Sequence, residues 1–212
     1  MLEAAEAVRQ LTQAGAALAG RGWLQGTSGN LSATLASDPL RLLITSSGQN
    51  KGNLTPQSFV HIDEQCRVLQ GEGRPSAEAA LHAVIVRQRS AGSVQHVHSP
   101  WATVLSGFYA GAKGITIAGY EMLKGLSGVT THEHSEWLPV LENSQNYTQL
   151  SAELETLLRE YPDIHGVLLR GHGLYTWGAD VAEAQRHVEI IEFLLEVAGT
   201  TDMLRGRFAQ AQ

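Results

Sequence analysis

The spacing of apolar residues along this chain switches repeatedly between a helical period and a strand period. Apolar residues three or four positions apart predict helices, and such segments cover residues 2–20, 76–90, 101–107, 148–160 and 180–199. Short runs of alternating or β-branched residues predict strands, and these cover residues 31–35, 40–45, 59–62, 67–70, 93–98, 115–118, 139–141 and 164–177. The mixture of the two predicts an α/β chain.

Polar residues mark the ends of two predicted helices. Ser76 follows a proline and is the predicted N-cap of the second helix. Asp180 is the predicted N-cap of the last helix, and Glu183 follows it three residues later, as in a capping box. Gly199 is the predicted end of that helix, because glycine commonly terminates helices.

The connections between the predicted strands are mostly short and rich in Gly, Pro, Asn and Asp. Short connections favour antiparallel neighbours, and residues 1–212 show neither a repeat nor a linker-like change in composition. We therefore expect a single domain over residues 1–212, an α/β/α layered structure with a largely antiparallel central sheet.

Charge and composition limit the partners that we expect. The chain has 15 Lys and Arg against 21 Asp and Glu, a formal net charge of −6, and lacks a basic stripe for nucleic acid. Its apolar runs are shorter than the roughly 20 residues of a membrane-spanning helix. The first residues lack the basic and apolar regions of a targeting peptide, so we expect a cytoplasmic location. The single cysteine, Cys66, rules out an internal disulfide and a multi-cysteine zinc site.

Three of the nine histidines stand where they could share a metal ion. His96 and His98 are two residues apart on a predicted strand, so their side chains project from the same face. His172 lies between two glycines at the end of another apolar run. A catalytic zinc needs three protein ligands and one open position. At this point a zinc site and ordinary packed histidines both remain open.

The other histidines favour structural roles. His132 and His134 lie among polar residues, which predicts a solvated loop, and four further histidines occur singly in predicted elements, where packed or surface positions are expected. These four are His61, His82, His165 and His187.

Two carboxylates and two polar stretches are further candidates. Glu78 is in the first turn of a predicted helix, where the dipole favours any carboxylate, and Glu121 follows a strand at the start of a loop, where catalytic groups are often mounted. Residues 26–32 and 45–51 are rich in glycine and in hydroxyl and amide donors that can surround a phosphate. Both stretches lack the glycine spacing of a P-loop, and ordinary turns remain the alternative.

Five short motifs in order resemble the class II aldolase/adducin family over about residues 5–200. They are Gly-Asn-Leu-Ser at 29–32, Ser-Ser-Gly at 46–48, Arg-Pro-Ser-Ala-Glu at 74–78, His-Val-His at 96–98 and Arg-Gly-His-Gly at 170–173. One position departs from the family pattern, because Ala77 stands where the aldolases usually have a second serine.

This resemblance implies a site and an assembly. It implies one zinc ion per subunit on three histidines, a sugar-phosphate substrate, Glu121 as acid/base, and a homotetramer with sites between subunits. Glu78 stands where the aldolases keep a catalytic glutamate. The implied zinc ligands are His96, His98 and His172, and the implied phosphate-binding residues are Gly29, Asn30, Ser47, Gly48, Lys51 and Ser76.

Within the family, the residues at 47–51 and 121–125 resemble a branch that dehydrates a ketose 1-phosphate in methionine salvage. The resemblance therefore implies a zinc-dependent lyase. A sugar-phosphate aldolase and a pentulose-phosphate 4-epimerase remain alternatives on the same scaffold. A non-catalytic, adducin-like interaction module is a further alternative, against which the intact set of three histidines argues.

Overall fold

The computed structural model describes the backbone of residues 2–210 and the side chains of residues 2–206. The helices in this region are α1 (Ala4–Gly20), α2 (Ala79–Arg89), α3 (Pro100–Phe108), α4 (Tyr147–Glu160) and α5 (Val181–Gln210). The strands are β1 (Asn30–Ser37), β2 (Leu40–Thr45), β3 (Phe59–Asp63), β4 (Val68–Gln70), β5 (Ser93–Val97), β6 (Gly114–Ala118), β7 (Ser135–Leu141), β8 (Gly166–Leu169) and β9 (Gly173–Gly178). None of these helices combines the length and the apolar character needed to cross a membrane.

The nine strands form one sheet in the order β4-β3-β2-β1-β5-β9-β8-β7-β6. All neighbours are antiparallel except β7 and β8, whose chain connection runs through α4. Strand β5 is the central strand and pairs with β1 on one side and β9 on the other. The predicted α/β class with a largely antiparallel sheet is confirmed.

Helices cover both faces of this sheet. Apolar side chains of α1, α3 and α5 pack on one face, with Leu11, Leu105 and Ile191 among the buried residues. Side chains of α2 and α4 pack on the other face, where Leu81 and Leu154 are buried. Burying apolar surface on both faces is the main stabilisation of such a layered fold.

The start of the second helix differs from the prediction. Helix α2 begins at Ala79, with Glu78 as its N-cap residue, so the prediction of Ser76 as N-cap is wrong. The amide of Ala79 donates to the Ser76 carbonyl, which makes a turn before the helix. The Ser76 hydroxyl instead contacts the backbone and carboxylate of Glu78.

The last helix begins as predicted and ends later. The amide of Glu183 donates to the Asp180 carboxylate at 2.8 Å, so the predicted cap is present. The predicted end at Gly199 is wrong, because α5 continues to Gln210. A Cβ at Gly199 would lie 2.6 Å from Cε3 of Trp101. The glycine therefore serves close packing of α5 on α3.

Candidate active site

The side chains of His96, His98 and His172 converge at one end of the central strands. The Nε2 atoms of His98 and His96 are 2.8 Å apart, those of His172 and His98 are 2.9 Å apart, and those of His96 and His172 are 3.3 Å apart. His96 lies on β5, His98 follows that strand, and His172 lies in the turn that joins β8 to β9. Antiparallel pairing of β5 with β9 brings the two chain segments together.

The turn that carries His172 requires both of its glycines. Gly171 has a φ of +61°, a conformation that glycine adopts without steric cost. A Cβ at Gly173 would collide with the carbonyl of Val97 on the neighbouring strand. Helix α3 also holds this turn, since the Ser106 hydroxyl accepts from the amide of Gly171 at 3.0 Å. The single predicted strand over residues 164–177 is therefore two strands with a tight turn between them.

Hydrogen bonds at Nδ1 of His96 and His172 direct the Nε2 lone pairs of these rings toward the centre of the histidine group. His96 Nδ1 donates to the carbonyl of Leu174 at 3.0 Å, and His172 Nδ1 lies 3.3 Å from Oδ1 of Asn143. A proton on Nδ1 leaves Nε2 as an acceptor or metal ligand. Burial lowers the pKa of His96 well below its usual value and lowers that of His98 to about 4. Both imidazoles are therefore neutral near pH 7, the form that binds metals.

This arrangement fits a zinc ion. Zinc–nitrogen bonds of 2.0–2.1 Å in a tetrahedral geometry put neighbouring ligand nitrogens about 3.3 Å apart, and the three Nε2 atoms are separated by 2.8–3.3 Å. Glu78 completes the group, because its Oε1 lies 3.2 Å from Nε2 of His172 and 3.7 Å from Nε2 of His96. Three imidazoles with a carboxylate beside them are donors that could hold a divalent metal ion such as zinc.

A buried chain of polar side chains holds Glu78. The Asn30 amide donates to Oε2 of Glu78 at 2.6 Å, and its carbonyl oxygen contacts Nε2 of His82. The Ser32 hydroxyl lies 2.7 Å from Nδ1 of His82. Although burial raises the pKa of Glu78, its contacts with His172, His96 and Asn30 together lower that pKa by more, so the carboxylate is ionised. Burial lowers the pKa of His82 to about 4 and keeps its ring neutral.

The six predicted phosphate-binding residues line one small cavity beside the histidines. This cavity has a volume of about 130 Å³, and Glu78 and His98 are also among its lining residues. The residues brought together are Gly29, Asn30, Ser47, Gly48, Lys51 and Ser76. Lys51 is buried, and its ammonium donates to the carbonyl of Thr27 at 2.6 Å. Burial lowers the pKa of this lysine, and the Glu78 charge opposes that shift.

Glu121 is the predicted site residue that does not join the others within one chain. It begins a 3-10 turn over Glu121–Gly125 on the protein surface, and 72% of its side chain is exposed. The carboxylate pairs with Lys124 and lies 3.7 Å from Nδ1 of His132. The hydrogen bond and charge of Lys124 lower the pKa of Glu121.

Two polar groups were not predicted. His82 belongs to the series of hydrogen-bonded side chains that holds Glu78. No spacing along the sequence indicates this role, because Asn30 and His82 meet only when α2 packs on β1. His134 was assigned to a solvated loop, but it is partly buried and contacts Glu136, as does His165. His134 and Glu136 are two residues apart at the start of β7, and that spacing is the signal that could have indicated their common face.

Comparison with known proteins confirms the resemblance to the class II aldolase/adducin family over most of the chain. The Class II Aldolase and Adducin N-terminal domain matches residues 9–198. Methylthioribulose-1-phosphate dehydratase of Sorangium cellulosum is 44% identical over 180 residues, which cover 84% of each chain. The enzyme of that name from Methylococcus capsulatus is 41% identical over 89% of this chain and 90% of its own. The structure of L-fuculose-1-phosphate aldolase from Thermus thermophilus aligns with a TM-score of 0.77 at 22% identity, over 96% of this chain and 99% of that one. The chain belongs to the class II aldolase and adducin family.

Proposed function

We propose that this protein is a lyase that converts 5-methylthioribulose 1-phosphate to 2,3-diketo-5-methylthiopentyl 1-phosphate in methionine salvage. The observation that carries the proposal is the convergence of three imidazole Nε2 atoms beside a cavity lined with lysine, hydroxyl and amide groups. The relatives that are 39–44% identical over most of the chain and are named for this dehydration support it.

The proposed metal is zinc, one ion per active site, held by His96, His98 and His172. When bound, it would supply a Lewis acid that stabilises negative charge on the C2 oxygen of the ketose as the C3 proton leaves. Glu78 lies next to these ligands, where its carboxylate would add negative charge to the metal site and where Asn30 holds it in position. Lys51 and the cavity around it are proposed to bind the phosphate, because an ammonium and free donors favour a dianion.

Glu121 is proposed as the group that moves protons. Its carboxylate takes the proton from C3, and the resulting acid returns a proton to the C4 hydroxyl, which leaves as water. The product of that elimination is an enol, which loses the proton of its C3 hydroxyl, gains a proton at C4 and becomes the 2,3-diketone. Atoms balance, because one water leaves and no oxidant is consumed.

Because Glu121 lies outside the histidine group of its own chain, we propose that it acts in the site of a neighbouring subunit. Its side chain is exposed next to Met122, of which 40% is exposed. Val104, Phe108 and Phe193 are further exposed apolar side chains on α3 and α5. Apolar residues left at a surface favour association with another chain, and a homotetramer is the assembly proposed.

The proposal is tested by assaying water elimination from 5-methylthioribulose 1-phosphate and measuring zinc in the same sample. We expect diketone formation that a chelator abolishes and added zinc restores. The metal-free double variant His96→Ala/His98→Ala is expected to be inactive, whereas a matched variant far from the site, His61→Ala, is expected to keep its activity. A zinc-loaded, folded protein that forms no diketone would overturn the proposal.

The position of Glu121 has its own test by subunit mixing. Glu121→Gln and His98→Ala are each expected to be inactive alone, since one lacks the acid/base and the other a ligand. If Glu121 serves a neighbouring site, randomly mixed assemblies regain about a quarter of wild-type activity, because some interfaces combine an intact histidine set with an intact glutamate. An absence of activity in verified mixed assemblies would show that Glu121 does not act across an interface.

A sugar-phosphate aldolase is the second candidate, and the place of Glu78 favours it. In the aldolase interpretation this buried carboxylate beside the histidines is the acid/base, and Glu121 has no role. Fuculose 1-phosphate and rhamnulose 1-phosphate are the discriminating substrates. Cleavage of either to two carbonyl products would support the aldolase, and their survival beside rapid diketone formation would support the dehydratase.

A further inference from the structure

A second group of metal-binding side chains lies on the sheet away from the site described above. His134 immediately precedes β7, Glu136 is on that strand, and His165 immediately precedes β8. Nε2 of His134 lies 2.8 Å from Oε2 of Glu136, and Nδ1 of His165 lies 3.0 Å from the same oxygen. One nitrogen from each ring and one carboxylate oxygen all lie within 4.8 Å of one another. The parallel pairing of β7 and β8 places the two segments side by side.

Neighbouring groups orient two of these three donors. The backbone amide of His165 donates to Oε1 of Glu136 at 2.9 Å and leaves Oε2 directed at the two rings. Nε2 of His165 donates to the carbonyl of Ser127 at 2.8 Å, and the Ser127 amide donates to Nε2 of His187 at 3.1 Å. A ring that donates through Nε2 presents the lone pair of Nδ1 to its other neighbour. Such hydrogen bonds are the ones that fix the orientation of metal-ligating histidines.

In a neutral His165 the ring proton is on Nε2, so Nδ1 carries a lone pair. That lone pair would face Oε2 of Glu136, and neither atom would have a hydrogen to donate to the other. Two acceptors 3.0 Å apart need a cation between them, either a proton or a metal ion. The side chain of Glu136 is 2% exposed, so the charge that balances it must come from the protein or from a bound ion.

We propose that His134, Glu136 and His165 form a second zinc site, distinct from the histidine site at the centre of the sheet. Two imidazoles and one carboxylate are a known donor set for zinc with an open position. The group borders an open cavity of about 460 Å³, from which water can supply the fourth ligand. Asp163 lines the same cavity and adds a negative charge that favours a cation there.

The competing occupant is a proton. Burial lowers the pKa of His165, and its hydrogen bond and charge interaction with Glu136 raise it by more, which favours a proton held between the two side chains when no metal is bound. Zinc binding would then release the proton from Nδ1. The number of zinc ions bound per chain separates the two states.

The experiment measures zinc stoichiometry after the protein has been stripped with a chelator and dialysed against excess zinc. We expect two zinc ions per wild-type chain and one in His96→Ala/His98→Ala, which lacks the first site. His165→Gln and Glu136→Gln are expected to bind one, and the combination of His165→Gln with the double variant none. His61→Gln is the matched control on another strand and is expected to bind two. Circular dichroism establishes that each variant is folded.

The proposal is overturned if wild-type protein binds a single zinc ion that His96→Ala/His98→Ala loses entirely. It is equally overturned if folded His165→Gln and Glu136→Gln bind as much zinc as the wild type. Neither result bears on the dehydration assay, because the second site shares no ligand with the first.

Discussion

Asn30 connects two polar side chains that lie beside and behind the three histidines. Its amide donates to Glu78 on one side, and its carbonyl oxygen contacts His82 on the other. A buried polar group that loses its partner costs its full desolvation energy. One asparagine therefore stabilises both the carboxylate beside the three converging histidines and the side chain of His82.

Substitution of Asn30 by Ala is expected to lower the free energy of unfolding by about 1–3 kcal/mol, since Glu78 and His82 each lose a hydrogen-bond partner. Urea denaturation of metal-free protein measures the change without a contribution from bound zinc. The control is Asn53→Ala at an exposed position, where we expect a change within about 0.5 kcal/mol. Equal stability of the two variants would contradict the role of Asn30.

Substitution of Glu121 by Gln is expected to lower kcat by at least about 100-fold, the lower end for loss of a general acid/base. Zinc content and thermal stability should stay at wild-type values, because Glu121 is exposed and touches none of the three histidines. Glu64→Gln, another exposed glutamate, is the control and should keep full activity. A fully active, zinc-replete Glu121→Gln enzyme would remove Glu121 from the mechanism.

Individual residues differ in how far the sequence could predict their positions. The approach of His96 to His98 follows from two-residue spacing on a strand, and the glycines around His172 indicate a crowded turn. The sequence does not predict the series of hydrogen-bonded side chains that runs from Ser32 through His82 and Asn30 to Glu78. This series depends on how α2 packs against β1. Such long-range contacts leave no period in the sequence.

At the scale of single elements, Gly199 shows how tertiary packing overrides a local signal. Glycine often ends a helix, but α5 continues through this position because Trp101 of α3 occupies the space of a side chain. The same holds for Ser76, a good N-cap residue whose hydroxyl contacts Glu78 instead. Periodicity predicted that these helices exist, whereas their ends depend on neighbours that are distant in the sequence.

Substitution of Gly199 by Ala is expected to destabilise the protein by about 1–3 kcal/mol, the usual cost of overpacking. Helix propensity alone would predict the opposite, a gain of up to about 1 kcal/mol. Gly206 is the matched control on the same helix, since a Cβ there meets nothing within 4 Å. Thermal unfolding should show no loss for Gly206→Ala and a lower midpoint for Gly199→Ala. A gain in both variants would contradict the packing role.

At the scale of the whole molecule, one buried carboxyl group makes the free energy of unfolding depend on pH. Glu192 lies on α5 with its side chain buried, and the Ser99 hydroxyl is the polar group that opposes the effect of burial on its carboxyl. Burial raises its pKa to about 7. The folded protein therefore keeps a proton on Glu192 at pH values where the unfolded chain has lost it, and folding becomes less favourable as the pH rises from about 4.5 to 7.

Glu192→Gln is expected to be more stable than wild type by an amount that grows by about 2–3 kcal/mol between pH 5 and pH 8. Denaturant unfolding of both proteins at several pH values measures this difference in the free energy of unfolding. Other groups titrate alike in the two proteins, so their contributions cancel in the difference. Glu196→Gln, exposed on the same helix, should run parallel to wild type. If the free energy of unfolding of Glu192→Gln also changes with pH as the wild type's does, the Glu192 carboxyl does not titrate in this range.

Strand β5, which carries His96 and precedes His98, has four strands on each side of it. The three converging rings, which lie at one end of the central strands, are therefore remote from both edges of the sheet. Lengthening the β3–β4 connection would leave the spacing of the three rings untouched, whereas a single residue inserted between Arg170 and Gly173 would destroy it. Changes in the edge strands and their connections are therefore expected to leave the three rings in place.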